Sequence, residues 1–224
     1  MNLTWIAPNA PCDAFPPVET ALSEPPGLLA AGGNLSPERL LVGYRRGIFP
    51  WYSPGQPILW WSPDPRCVLW PQEFKCTRSL AKTARNRGFE LRTDTCFAEV
   101  MTACGDSALR AEGTWITPDM RHAYQQLYQR GHAHSVETWL DGHLVGGLYG
   151  VKLGRVFFGE SMFSLERDAS KFALLHLCQQ TLRDALGAIT LIDCQMATPH
   201  LLSLGARNMA RSEFVTQLAT LTTA

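Results

Sequence analysis

The chain has no excess of charge of either sign: 20 lysines and arginines stand against 20 aspartates and glutamates in 224 residues. A polyanion partner is not advertised globally, so any such contact has to be a local patch. No apolar run approaches the ~20 residues that span a bilayer. The start, MNLTWIAPNAPCDAF, lacks a basic region followed by an apolar one, so no secretory leader is expected. There is no CxxC pair. The seven cysteines (12, 67, 76, 96, 104, 178 and 194) are scattered and odd in number, which points to reduced thiols in a cytoplasmic protein and away from a disulfide framework or zinc site. P-loop and dinucleotide fingerprints are missing. His132 and His134 have no carboxylate at ligand spacing, so no metal is expected.

What is abundant is unevenly placed. Twelve of the 15 prolines fall in the first 65 residues, and four of the seven tryptophans lie between 51 and 70. That shift predicts a small, turn-rich N-terminal domain over 1–65, cemented by aromatic side chains, and a larger domain over 66–224. Proline limits long helix and sheet in the first part. Ser36-Pro37-Glu38 marks a helix start, running to about Arg46 with Gly47 as its stop. Thr77 to Arg87 reads as a helix ended by Gly88, Cys96 to Cys104 as one ended by Gly105, and Thr117-Pro118-Asp119 opens one that reaches Arg130. A strand from His134 to Leu140 meets Asp141-Gly142, a hairpin turn. Two extended segments follow over His143 to Ser164, then a helix over 168–186 with apolar positions that include Leu182. Ala188 to Gln195 reads as a buried strand with polar residues at its end. Short helices begin at Thr198-Pro199 and at Ser212. This order is α+β with a mixed sheet, compatible with an N-acyltransferase fold whose central strands splay around the acyl site.

Two features carry chemistry. Arg78, Lys82 and Arg85 fall at i, i+4 and i+7, a basic stripe on one helix. Second, strand alternation puts Phe158, Glu160 and Met162 on one face and Asp193 and Gln195 on another. A carboxylate between large apolar groups needs a partner. Glu160, Asp193 and Gln195, surrounded by Leu148, Phe158, Met162, Leu174, Leu177 and Ile192, suit binding a cationic amine or accepting a proton.

These residues lie in a long ordered series: EPPGLLAAGGNLSPERLLVGYRRGIFPWYSPGQPILWWSPDPR, GTWIT, GHAHSVETW, LVGGLYG, FFGESMFS, DASK, LIDCQ and SLGA. The series resembles the bacterial leucyl/phenylalanyl-tRNA–protein transferases. The resemblance implies a small N-terminal domain followed by a GNAT-type acyltransferase domain. It implies transfer of Leu, Phe and, less well, Met from aminoacyl-tRNA to the N-terminal Arg or Lys of a protein, creating an N-degron. No cofactor and no metal are implied, and a soluble cytoplasmic monomer is expected. Carried over residue by residue, the resemblance makes Glu160, Asp193 and Gln195 the catalytic set. Gln195 would accept a hydrogen bond from the attacking amine while Asp193 holds its amide. The aminoacyl pocket maps to Leu148, Phe157, Phe158, Met162, Leu174, Leu177 and Ile192. Tyr44, Trp51, Trp115 and Tyr124 are implied near the terminal adenosine, and Arg78, Lys82, Arg85 and Arg87 at the tRNA backbone. Two departures are Leu148 in place of the family's methionine and Thr198 where asparagine is frequent. SLERDAS, before the 168–186 helix, has no glycine and two acids, which argues against a pyrophosphate cradle for CoA.

Overall fold

Two β-sheets of different size organise the protein. The computed structural model describes residues 3–106, 114–179 and 187–223, with the side chains of residues 84 and 85 left out of account. The small sheet has the order β1-β2-β4-β3, from β1 (Thr4–Ile6), β2 (Leu28–Gly32), β3 (Phe49–Pro50) and β4 (Leu59–Trp61). The aromatic cluster is therefore more than loop. Very short strands tolerate the prolines because each needs only two or three ladder bonds. Trp60 is fully buried and donates from Nε1 to the Gly32 carbonyl at 2.9 Å. Helix α1 (Pro37–Arg45) is capped by Ser36 and stops at Gly47, whose φ of +74° suits a residue without Cβ.

The large sheet has the order β11-β5-β10-β9-β8-β7-β6. Its strands are β5 (Arg66–Leu69), β6 (Glu90–Thr93), β7 (Ala133–Leu140), β8 (His143–Leu153), β9 (Val156–Ser164), β10 (Leu191–Asp193) and β11 (Arg207–Met209). The hairpin between β7 and β8 has positive φ at both Asp141 and Gly142, as a two-residue turn requires. On one face lie α3 (Phe97–Cys104) and α4 (Pro118–Gln129), with Val100, Met120 and Leu127 in one core. On the other lies α5 (Ala169–Cys178), with Leu174 and Leu177 in a second core. The first core also takes in Leu40, Trp60 and Phe214, so packing is continuous across residue 65. Helices α2 (Arg78–Asn86), α6 (Pro199–Ser203) and α7 (Arg211–Leu221) complete the described elements used below.

Three expectations differ from the structure. The helix read over 168–186 is described only to Cys178. Gln179 is already extended, and residues 180–186, Leu182 among them, lie outside the described residues. The strand read over 188–195 is three residues long, Leu191–Asp193, and its C-terminal end is set where Gln195 adopts φ +55°. Third, Phe158, Glu160 and Met162 do not share a face. Tyr149 pairs with Ser161 and Gly150 with Gly159, leaving Glu160 as the extra residue of a β-bulge. Phe158 packs in the first core, and Met162, beyond the bulge, packs against the second.

Candidate active site

The site lies where β9 and β10 part. They form the parallel pair of the large sheet and match over three residues, Leu191 with Val156 to Asp193 with Phe158. Beyond that, β9 continues along β8 to Ser164. The tail of β10 turns instead to β5, where the Cys194 N–H reaches the Cys67 carbonyl at 2.9 Å and Cys67 N–H reaches the Gln195 carbonyl at 3.0 Å. A cavity of about 1300 Å³ opens at the divergence. Leu148, Phe157, Met162, Leu174, Leu177 and Ile192 line it, together with Glu160, Gln195, Trp51 and Trp115.

Glu160 points to the side of the first core. Tyr44 from α1 donates to its Oε1 at 2.7 Å and Tyr124 from α4 to its Oε2 at 2.8 Å. The two phenols also touch each other through their hydroxyls. The residue keeps partial solvent access along the cavity, yet its carboxyl group is enclosed. Burial pushes its pKa up to about 7, against the two phenol hydrogen bonds that pull it down. Tyr44 and Tyr124 are themselves held well above the usual phenol range, first by burial and then by the Glu160 charge, so both stay donors.

Asp193 is fully buried and is gripped by Arg66, with Nε to Oδ1 and Nη2 to Oδ2 both at 2.7 Å. Such a bidentate pair satisfies the planar geometry of both groups. The Arg66 guanidinium also donates to the Gly47 carbonyl at 3.0 Å and lies against the rings of Phe49 and Phe214, 4.7 and 4.8 Å from their centroids. Asp193 Oδ1 accepts the backbone N–H of Gln195 at 3.0 Å. The carboxylate therefore orients Gln195 through the main chain, not through its side-chain amide as the sequence suggested. Among the described residues that amide's Nε2 is buried without a partner, a donor available at the cavity. Such a group is costly in an empty site and becomes satisfied when a ligand supplies an acceptor. Among the described residues, no group of three or more His, Cys, Asp or Glu is placed to hold a metal ion.

Comparison with known proteins decides what this geometry belongs to. Residues 68–219 match the family profile described as leucyl/phenylalanyl-tRNA protein transferase, and residues 33–64 match that of the N-terminal domain of the same transferase. The chain is 62% identical over 207 residues to the leucyl/phenylalanyl-tRNA–protein transferase of Thiobacillus denitrificans, covering 92% of this chain and 90% of the relative. The chain belongs to the leucyl/phenylalanyl-tRNA–protein transferase family. It is an aminoacyltransferase. The Azoarcus sp. member is also 62% identical, over 90% of this chain and 84% of its own. Among solved structures, a GCN5-related N-acetyltransferase from Kribbella flavida overlaps 76% of this chain and 60% of its own, with 15% identity and a TM-score of 0.40.

The structure distributes the expected transferase residues unevenly. Six of the seven pocket candidates line the cavity. Phe158 does not, because strand alternation from Phe157 leaves it on the other face, against Tyr44 with ring centroids 4.9 Å apart. Trp51 and Trp115 both line the cavity, and Trp51 is 38% exposed with Trp61 edge-on beside it. Tyr44 and Tyr124 are buried and engaged with Glu160, so neither has a ring face free for a base. Arg78 and Lys82 are exposed on α2, Arg87 pairs with Glu166 at 3.1 Å, and the side chain of Arg85 lies outside the described residues. Arg66 was missed. Its signal is an arginine opening the apolar run Arg66-Cys67-Val68-Leu69, which demands a buried carboxylate. Gly159, a glycine inside a strand, was the available sign of the bulge.

Proposed function

We propose that the cavity holds the side chain of the leucine, phenylalanine or methionine carried by an aminoacyl-tRNA, and that the acyl group passes to the α-amine of a protein beginning with Arg or Lys. The wedge between β9 and β10 carries this reading: it is apolar on the side of Leu148, Phe157 and Leu177, and it presents the Gln195 amide and the Glu160 carboxyl. One methylene is worth only ~1–3 kcal/mol in such a pocket, so unbranched and γ-branched side chains are accepted together. Trp51 and Trp115 offer rings at the cavity for the terminal adenosine. Exposed Arg78 and Lys82 face the phosphate backbone, joined by Arg85 and Arg87 on the same segment. The part of the chain up to residue 65 contributes Tyr44 and Trp51, and the remainder contributes the aminoacyl pocket. The product carries an N-degron, and the enzyme works as a monomer in the cytoplasm, where its free thiols stay reduced.

The donor is an activated ester, so the reaction needs positioning above all. With a pKa of roughly 7.7–8.0, an acceptor α-amine is about a tenth to a fifth neutral at pH 7. Gln195 accepts a hydrogen bond from that amine through its amide oxygen and donates from Nε2 to the ester carbonyl as negative charge develops there. Asp193, locked by Arg66, keeps the Gln195 turn in place. Glu160 orients the amine, and its pKa of about 7 matches it to receive the proton; as the amide bond forms, the ester C–O bond breaks and that proton passes to the departing ribose oxygen. CoA is disfavoured at the start of α5. The Asp168 carboxylate sits there, held below its ordinary range first by its hydrogen bond to Lys171, and would repel a pyrophosphate.

The test supplies labelled Leu-tRNA with a peptide beginning in Arg, and in parallel acetyl-CoA with the same peptide. Leucylation alone is expected. Acetylation without leucylation would overturn the proposal.

A further inference from the structure

Cys67 and Cys194 play no part in the mechanism above, yet they border it. The register of β5 with β10 pairs Ile192 with Leu69 and Asp193 with Val68, so Cys194 falls opposite Cys67. The Cys194 N–H to Cys67 carbonyl bond at 2.9 Å and the Cys67 N–H to Gln195 carbonyl bond at 3.0 Å set Cys67 opposite Cys194 and Gln195 together. Hydrogen-bonded neighbouring strands lie about 4.7–4.9 Å apart. That spacing lies within the range a disulfide spans. Their thiols lie close enough to shift one another's ionisation. Cys67 is fully buried, whereas Cys194 reaches the cavity wall between Asp193 and Gln195.

We infer that Cys67 and Cys194 are a dithiol that peroxide oxidises from the cavity, and that the resulting disulfide switches acyl transfer off. Contact with Cys194 lowers the Cys67 pKa, and contact with Cys67, then burial, raises that of Cys194. Cys67 is therefore the readier of the two to ionise. The Cys194 sulfur, at the cavity wall, attacks one peroxide oxygen. An S–O bond forms, the O–O bond breaks, and the departing hydroxide leaves as water with the Cys194 proton. Cys67 then attacks the sulfenic sulfur of Cys194. The S–S bond forms, the S–O bond breaks, and hydroxide leaves with the Cys67 proton as a second water. Two thiols are oxidised to one disulfide and one peroxide is reduced to two waters. Nearby Cys178 is not among the residues lining the cavity, so peroxide there meets Cys194 first. Closing the bond draws the β10 end toward β5 and shifts the Gln195 turn, whose carbonyl is held by the Cys67 N–H.

The loss of transfer rests on the proposed function; the cross-link does not. The full-length protein is treated with hydrogen peroxide, then divided between peptide mapping by mass and leucyl transfer from Leu-tRNA. A Cys67–Cys194 cross-link is expected, with a loss of turnover of about a hundredfold, as for an ångström-scale displacement, restored by dithiothreitol. Cys67→Ala should keep its turnover through the same treatment; Cys194→Ala should form no cross-link at Cys67. A cross-link through Cys178, oxidation that stops at single thiols, or equal inactivation of Cys67→Ala would overturn the inference. So would a cross-linked protein with full turnover. Should transfer from Leu-tRNA be absent before oxidation, the substrate reading fails, and the mass map still decides the dithiol.

Discussion

Replacing Arg66 with methionine tests how the site is held. The substitution keeps most of the side-chain volume between Phe49 and Phe214 but strands the Asp193 carboxylate, which has no exposed surface. Breaking a buried ion pair from one side costs about 3–5 kcal/mol, because the remaining charge keeps its desolvation penalty without a partner. Losing the donor to the Gly47 carbonyl adds about 1 kcal/mol. Against a total stability of about 5–15 kcal/mol, that brings the protein close to unfolding. The double substitution Arg66→Met with Asp193→Leu removes both charges, and an apolar pair of similar volume recovers most of the loss. It does not restore the acceptor for the Gln195 N–H. Urea titration should therefore give a large drop in midpoint for the single variant and a near-normal midpoint for the double one, at unchanged slope. Leucyl transfer should stay low in both, with kcat reduced and KM for the donor little changed. A single variant within about 1 kcal/mol of the parent would refute the energetic reasoning, and a fully active double variant would refute the positioning role of Asp193.

Other outcomes follow from the same geometry. The rate of transfer should rise with pH through about 7 as Glu160 ionises, and Glu160→Gln should abolish that inflection; an unchanged profile removes Glu160 from the proton path. Tyr124→Phe deletes a hydrogen bond that lowers the Glu160 pKa, so the inflection should move upward; movement downward contradicts the assignment. Because the folded protein holds the Glu160 proton more tightly than the ordinary value of 4.5 implies, this group's contribution is full below about 4.5 and is lost as pH rises to about 7. Denaturant midpoints of parent and Glu160→Gln should diverge across that interval. Gly150→Ala would place a Cβ 2.2 Å from the Phe158 carbonyl oxygen beside the bulge, costing roughly 3 kcal/mol in thermal or urea unfolding; a neutral effect would show that the bulge can shift. Arg78→Ala with Lys82→Ala should raise the KM for tRNA and flatten its salt dependence, and an unaltered slope in filter binding would clear α2 of phosphate contact.

Much of the framework needed no tertiary information. Ser36-Pro37 and Thr117-Pro118 start helices within one residue of where they were read, and Asp141-Gly142 turns the hairpin. Each is settled by the φ/ψ preferences and side-chain reach of a few adjacent residues. Leu148, Leu174, Leu177 and Ile192, which the resemblance carried to an aminoacyl pocket, line the cavity. Other features depended on distant partners. Arg66 and Asp193 are 127 residues apart, and only the pairing of β5 with β10 brings them together. The resemblance implied Tyr44 near the adenosine; only the meeting of α1 and α4 brings its hydroxyl to Glu160. The bulge at Glu160 moved Met162 off the face of Phe158, because a period of two carries no record of where it slips. Local chemistry decided which side chains this protein possesses and which elements bear them; the parting of β9 from β10 decided which of them face one another, since a gap in a sheet depends on how strands from separate parts of the chain pair.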